Sequence, residues 1–256
     1  MNRKEIIMTI SSVSNTGYSS YTNYTGSSAA ESPAQVGIDE RQTAQANGYS
    51  VGSVNITSAQ SMLNVADGAM SGITDYLQSI RELAVQASND LLSDSDKQHI
   101  QDQIEQYKQG ITDITANTSY NTKNLLDGSN ENFQIATDGN GNATEVTTSN
   151  TTLESLGIAD FDVTGDFDLS VIDQAIEQVS TSRASSGAQS NALSYAQDYA
   201  DYNASTLKAQ ADDEKLNALI EEAQKRKREQ ALESYRIQMQ KNKIRDAQTA
   251  TTNLFS

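Results

Sequence analysis

The chain has 256 residues, of which 36% are apolar and 6% aromatic, with no Trp, no Cys, a single Pro and a formal net charge of −16. That acidity excludes nucleic acid as the main partner, because a phosphate backbone demands a basic face; the missing cysteine excludes disulfides, zinc–thiolate centres and cysteine nucleophiles. There is no run of eighteen apolar residues, and Met1 to Thr9 is too short and too charged for a cleavable secretory signal, so membrane insertion is not expected and any export uses a route without such a signal.

From residue 1 to about 52, Ser, Thr, Tyr, Asn, Gly and Gln dominate, with Tyr18, Tyr21 and Tyr24 spaced three apart. Too few aliphatic side chains are present to offset the entropy of ordering, so residues 1–52 are expected to form a polar, disordered N-terminal segment. The most regular stretch follows. From Ile56 an apolar row continues through Ala59, Leu63, Ala66, Met70, Ile73, Leu77, Ile80, Ala84 and Ala87, in steps alternating three and four. This heptad spacing predicts a helix over about 54–89, roughly 50 Å long at 1.5 Å per residue; other helices packed lengthwise must cover its stripe.

Asn89 to Ser93 reads as a turn, and Ser93 followed by Asp94 and Asp96 supplies a capping oxygen and first-turn negative charge for a second helix, about 94–116. Its seam is Ile100, Ile104, Tyr107, Ile111 and Ile114, and the short connection favours an antiparallel pair with seams facing. Residues 117–150 form a turn-rich insert. Asp127-Gly128 and Asp138-Gly139-Asn140-Gly141 are turn signals, and Asn132 to Thr137 with Ala143 to Thr148 read as the arms of a β-hairpin. Asp138, Asn140 and Asn142 match the first, third and fifth places of a calcium loop, but Ala143 and Ser149 stand where Gly and Glu are required, so the stretch is read as a turn.

A linker with Leu153, Leu156, Ile158 and Phe161 leads to a third helix, about 169–211. Its seam is Leu169, Ile172, Ile176 and Val179, then a polar stretch through Arg183, Ser186 and Ser190, then Leu193, Ala200, Ala204, Leu207 and Ala211. Residues 212–256 read as a basic amphipathic helical tail. Between Lys215 and Arg245, nine Lys and Arg oppose four Glu, a net +5. Such a helix suits a membrane surface or an acidic partner helix, and the nearest acidic surface is this protein itself or another copy; a plain solvated, charged helix is the equal alternative.

The expected fold is mainly α: an elongated antiparallel bundle of long heptad-patterned helices with a small β-hairpin insert, occupying about 53–211. Its packing seam is Ile56, Leu63, Met70, Ile73, Leu77, Ile80, Ile100, Ile104, Ile111, Ile172, Ile176 and Val179. Chemistry finds no foothold. His99, beside Asp96, Asp102 and Gln103, reads as a surface residue in helical ion pairs; there is no Gly-x-Ser-x-Gly elbow and no phosphate-binding glycine loop. No catalytic residue, cofactor or metal is expected.

Four blocks resemble bacterial flagellin. Asn64-Val65-Ala66-Asp67-Gly68-Ala69-Met70 with Leu77-Gln78-Ser79-Ile80-Arg81-Glu82-Leu83-Ala84-Val85-Gln86-Ala87-Ser88-Asn89 is similar to that family's most recognisable segment. Asp94-Ser95-Asp96 with Ile100-Gln101-Asp102-Gln103-Ile104 resembles the start of its second helix, and Asn121 to Gly128 its entry into the β-hairpin. Ile172 to Ile176 with Ser182-Arg183-Ala184-Ser185-Ser186-Gly187-Ala188-Gln189-Ser190-Asn191 resembles its C-terminal rod helix. The resemblance covers about Gly52 to Ala211 and implies an inner rod domain without inserted outer domains. It implies a secreted, extracellular structural subunit of the bacterial flagellum, exported by the flagellar secretion apparatus. Its partners would be other flagellin subunits and an export chaperone.

By the same resemblance Arg81, Glu82, Leu83 and Gln103 form a receptor or subunit contact face. Ser79 replaces the Arg usual in the segment that a Toll-like receptor reads, so that recognition is expected to be weak or absent. Both chain ends depart from the family's hydrophobic helical pair. The alternative reading is therefore a non-polymerising flagellin-like protein that docks through its tails on a filament or another partner.

Overall fold

Pro33 opens the first described helix of the computed structural model, which describes residues 33–254 and is mostly helical. In chain order the elements are α1 (Pro33–Ala87), α2 (Asp94–Asn117), β1 (Ser119–Tyr120), β2 (Lys123–Asn124), β3 (Asn132–Ala136), β4 (Ala143–Thr147) and α3 (Ser170–Leu254). Among the described residues, 44–206 form one compact unit, and 33–43 with 207–254 the other. The tyrosines at 18, 21 and 24 lie outside the described residues.

Over residues 33–52 this helix stands where disorder was expected, and residues 1–32 of that expected segment lie outside the described residues. Proline is tolerated at position 33: the first turn of a helix needs no N–H from it, and its fixed φ already suits the helix. Heptad steps run backwards from Ile56 through Ser53, Tyr49 and Ala46, and Ser53 and Ala46 are buried. The seam is thus longer than its aliphatic part, with small and polar residues at its first positions. At the other end α1 stops at Ala87, two residues short of the expected boundary. Asn89 then makes a turn of its own, its Oδ1 accepting the Leu91 N–H at 3.1 Å.

Every residue of the α1 row from Ile56 to Ala87 is buried, and Ile100, Ile104 and Ile111 of α2 are buried with it in one core. Ser93 caps α2: its Oγ accepts the Asp96 N–H at 3.2 Å while Asp96 Oδ2 accepts the Ser93 N–H at 3.1 Å. Helices α1 and α2 approach closely. The Tyr76 and Tyr107 rings lie 5.7 Å apart, and a Cβ on Gly110 would fall 2.8 Å from the Tyr76 ring.

The stretch after the hairpin is packed rather than loose. Leu156, Ile158, Phe161 and Val163 are buried, and Gln101 of α2 holds their backbone like a strand neighbour. Its Oε1 accepts the Val163 N–H at 3.0 Å and its Nε2 donates to the Phe161 carbonyl at 3.3 Å. Gln101→Leu keeps the volume but leaves both backbone groups buried without partners. It is expected to lower stability by about 1–3 kcal/mol, read as a fall in urea midpoint with unchanged slope.

Two antiparallel hairpins fill the insert. In the first, Ser119 pairs with Asn124 and Tyr120 with Lys123; the two-residue turn puts Asn121 at φ 46° and Thr122 at φ 66°, the left-handed pair that matches the strand twist. In the second, Asn132–Ala136 pairs with Ala143–Thr147. Asp138 holds its loop, with Oδ1 accepting the Asn140 and Asn142 N–H groups at 2.8 and 3.2 Å and Oδ2 accepting Asn142 Nδ2 at 2.6 Å. Phe133, Ile135 and Val146 alternate inward onto the core.

Candidate functional site

The surface that organises this molecule is the face between α1 and α3 within the Ala44–Thr206 unit. Reading up α1 and down α3, Tyr49 meets Tyr199 edge-on with ring centres 6.2 Å apart, and Gln197 Nε2 donates to Thr57 Oγ1 at 3.1 Å. Gln60 Nε2 then donates to Ser194 Oγ at 2.9 Å. Arg183 Nε lies 2.9 Å from Asp67 Oδ1, and Arg81 Nε 2.6 Å from Asp173 Oδ1. Each helix thus lends one Arg to an Asp on the other. The side chains of the last pair are about half exposed, at 46% and 50%. Such a pair contributes at most about 1 kcal/mol, so these bonds fix the antiparallel register more than they stabilise it.

The polar stretch of α3 is therefore used. Arg183 faces Asp67, Ser186 is buried, and the Ser190 carbonyl accepts Gln60 Nε2 at 3.4 Å. The β3–β4 hairpin is clamped along both edges. Gln189 of α3 accepts the Thr147 N–H at 2.7 Å and donates to its carbonyl at 3.1 Å, while Asn55 Nδ2 of α1 donates to the Ala136 carbonyl at 3.0 Å. The hairpin loop lies directly against the α1 backbone: a Cβ on Gly48 would fall 2.6 Å from Gly139 Cα, and one on Gly52 1.9 Å from the Thr137 carbonyl oxygen.

Of the twelve expected seam residues, the structure buries all except Ile176, which is half-buried while Ala175 beside it is fully covered. Heptad spacing placed the stripe one residue too far along α3 there. Arg81 is engaged within the molecule by Asp173, Glu82 and Gln103 are exposed, and Leu83 is half-buried against the core. His99 is exposed on α2. Among the described residues no helix is long and apolar enough to cross a membrane.

Each unit also carries an exposed face of its own. Tyr195, Tyr199 and Tyr202 stand exposed on one stripe of α3, and every side chain from 224 to 245 is exposed. The tyrosine stripe carries its own signal in the sequence, steps of four and three along a helix, outside the apolar seam.

Several carboxylates are held below their ordinary range by hydrogen bonds: Asp96 by Ser93, Asp127 by Ser129 and Asn124, Asp138 by Asn142, Asp162 by Thr164, and Asp168 by Ser170. Burial and the neighbouring Tyr199 raise the Tyr49 hydroxyl. A carboxyl depressed in the folded state contributes stability above its unfolded pKa of about 3.9 and loses it as the pH falls through the folded value. Relief of repulsion in this acidic chain works the other way, so the comparison must be internal. At neutral pH the Asp127→Asn, Asp138→Asn variant is expected to melt below the wild type, and the gap is expected to close below about pH 4. A gap constant across pH would show that the two charges contribute nothing.

Fold and surface together define a helical scaffold, built by lengthwise packing of heptad helices and registered by polar cross-links. Residues 24–131 match the family model for the bacterial flagellin N-terminal helical region. The chain is 32% identical over 210 residues to the flagellin of Bacillus subtilis (strain 168), covering 65% of this chain and 68% of that protein. It is 35% identical over 127 residues to the flagellin of Clostridium tyrobutyricum, covering 50% of this chain and only 34% of that longer protein. The crystal structure of Bacillus cereus flagellin superposes with a TM-score of 0.52 at 24% identity, covering 57% of this chain and 88% of that one, a likeness of fold. The chain belongs to the flagellin family, a family of structural proteins.

Proposed function

We propose that the chain is a structural subunit of the bacterial flagellar filament, exported by the flagellar secretion apparatus and acting outside the cell in motility. The observation that carries this reading is the identity to Bacillus subtilis flagellin over 68% of that protein, which coincides with a scaffold whose seam runs unbroken along α1. Self-association is the activity, and no catalysis is part of it. An export chaperone escorts the chain. Toll-like receptor recognition is weak or absent, in keeping with Ser79 in place of Arg and with the pairing of Arg81 to Asp173.

The test is negative-stain microscopy with sedimentation on the purified chain, alone and with filament seeds from a flagellated bacterium. Filaments, or growth on seeds, support the subunit reading. Persistent monomers that do not add to seeds overturn it, leaving a non-polymerising protein that docks through its tails.

A further inference from the structure

Two exposed surfaces of this chain have opposite chemistry. On α3, Tyr195, Tyr199 and Tyr202 are 77%, 63% and 68% exposed, which is unusual for three aromatic rings on one stripe. Asp198 lies within that stripe and Asp201 beside it, both exposed, and no Lys or Arg occurs between Arg183 and Lys208. Aromatic faces with interleaved carboxylates are a surface for cations: the ring quadrupole attracts an ammonium or guanidinium, and the carboxylate pairs with it.

The second surface lies at residues 224–245, where eight Lys and Arg oppose two Glu and every side chain is exposed. One face of this helical stretch carries Arg228, Leu232, Tyr235, Met239 and Lys243 at steps of three and four, with Arg236 beside Tyr235. Leu232 and Tyr235 are 64% and 61% exposed. The face therefore offers apolar and cationic groups together. The Ala44–Thr206 unit, in contrast, holds twenty-two Asp and Glu against five Lys and Arg.

We infer that residues 224–245 of one copy dock on the Tyr195–Tyr199–Tyr202 strip of a second copy. Arg228, Arg236 and Lys243 reach the tyrosine faces and Asp198, and Leu232 and Met239 cover the rings. Charge complementarity selects this occupant, because the strip repels acidic surfaces and the chain itself supplies the cationic one. The contact is heterologous: each copy presents a different patch, so it propagates as an open series and does not close as a two-fold pair. The inference rests on the reading of the chain as a self-associating subunit, and it names the surfaces.

The experiment is sedimentation equilibrium of the full chain and two variants. The strip variant carries Tyr195→Ser, Asp198→Asn, Asp201→Asn and Tyr202→Ser and keeps Tyr199, which packs on Tyr49; the basic variant carries Arg228→Gln, Arg236→Gln and Lys243→Gln. All changes are at exposed positions, and circular dichroism checks that helicity is kept. The wild type is expected to associate. Raising salt from about 0.1 M to about 1 M, which shortens the Debye length from ~10 Å to ~3 Å, is expected to weaken that association roughly tenfold or more. Each variant alone is expected to remain monomeric, whereas their mixture forms a one-to-one pair, because each retains the surface the other lacks.

Variants that associate alone as the wild type does, or a mixture that stays monomeric, would overturn the inference. So would a wild-type monomer that binds phosphatidylserine vesicles through the same basic residues, since the partner would then be lipid. If both variants still add to filament seeds as the wild type does, this contact is wrong and the subunit reading stands. If the wild type itself neither associates nor adds to seeds, that reading fails as well.

Discussion

Leu77→Asp is expected to unfold the Ala44–Thr206 unit, and Ile104→Asp to do the same. Both side chains are fully buried at the meeting of α1 and α2, in a single core. Removing a buried Leu or Ile costs about 2–5 kcal/mol through lost burial and the space left behind. The carboxylate adds a desolvation cost of several kcal/mol, unless it takes up a proton. Together these rival the whole net stability of a typical domain, about 5–15 kcal/mol. Circular dichroism at neutral pH is expected to show most of the helicity lost. Part of it is expected to return as the pH falls, since the buried carboxyl is tolerated only when neutral. Val65→Asp is the control: Val65 is 42% exposed on the same helix, and its replacement is expected to leave the melt nearly unchanged. Full helicity in both buried variants would mean that the row from Ile56 to Ala87 is not the packing seam.

The α1 row was legible because one residue type at one spacing carries it: an aliphatic or Ala side chain every three or four residues leaves a helix in a bundle as the only way to exclude water. The same rule did not reach residues 33–52, where Tyr49 and Ala46 occupy the seam positions and composition suggested disorder. Once a neighbouring helix covers it, a small residue fills a seam as well as a large one, and sequence cannot say that the neighbour is there. The hairpin announced itself through Asp138-Gly139 and Asn140-Gly141, whose backbone needs are local. Its clamps did not, because Gln189 reaches Thr147 across 42 residues and Asn55 reaches Ala136 across 81. Arg81 shows the same limit: its partner Asp173 lies 92 residues away, so no local pattern announces the pair.

Gly52→Ala and Gly68→Ala are expected to move stability in opposite directions. Both glycines sit inside α1, where replacement by Ala removes backbone freedom from the unfolded chain and favours the helix by about 1 kcal/mol. At Gly68 nothing lies within 4 Å of the added methyl, so the gain is expected in full as a higher urea midpoint. At Gly52 the methyl would lie 1.9 Å from the Thr137 carbonyl oxygen and 2.3 Å from its carbon. Backbone cannot rotate away as a side chain can, so either α1 or the β3–β4 hairpin must shift. Overpacking of this kind costs about 1–3 kcal/mol, which outweighs the helix gain. The strain has an obvious outlet: the hairpin lifts from α1, the Asn55 to Ala136 bond is lost, and the Gln189 clamp on the opposite edge bears what remains. Amide hydrogen exchange is expected to rise in 132–147 and to stay unchanged in α2, where Ile104 and Ile111 keep their cover. A Gly52→Ala chain as stable as Gly68→Ala, with hairpin amides still protected, would show that the loop does not rest on the α1 backbone.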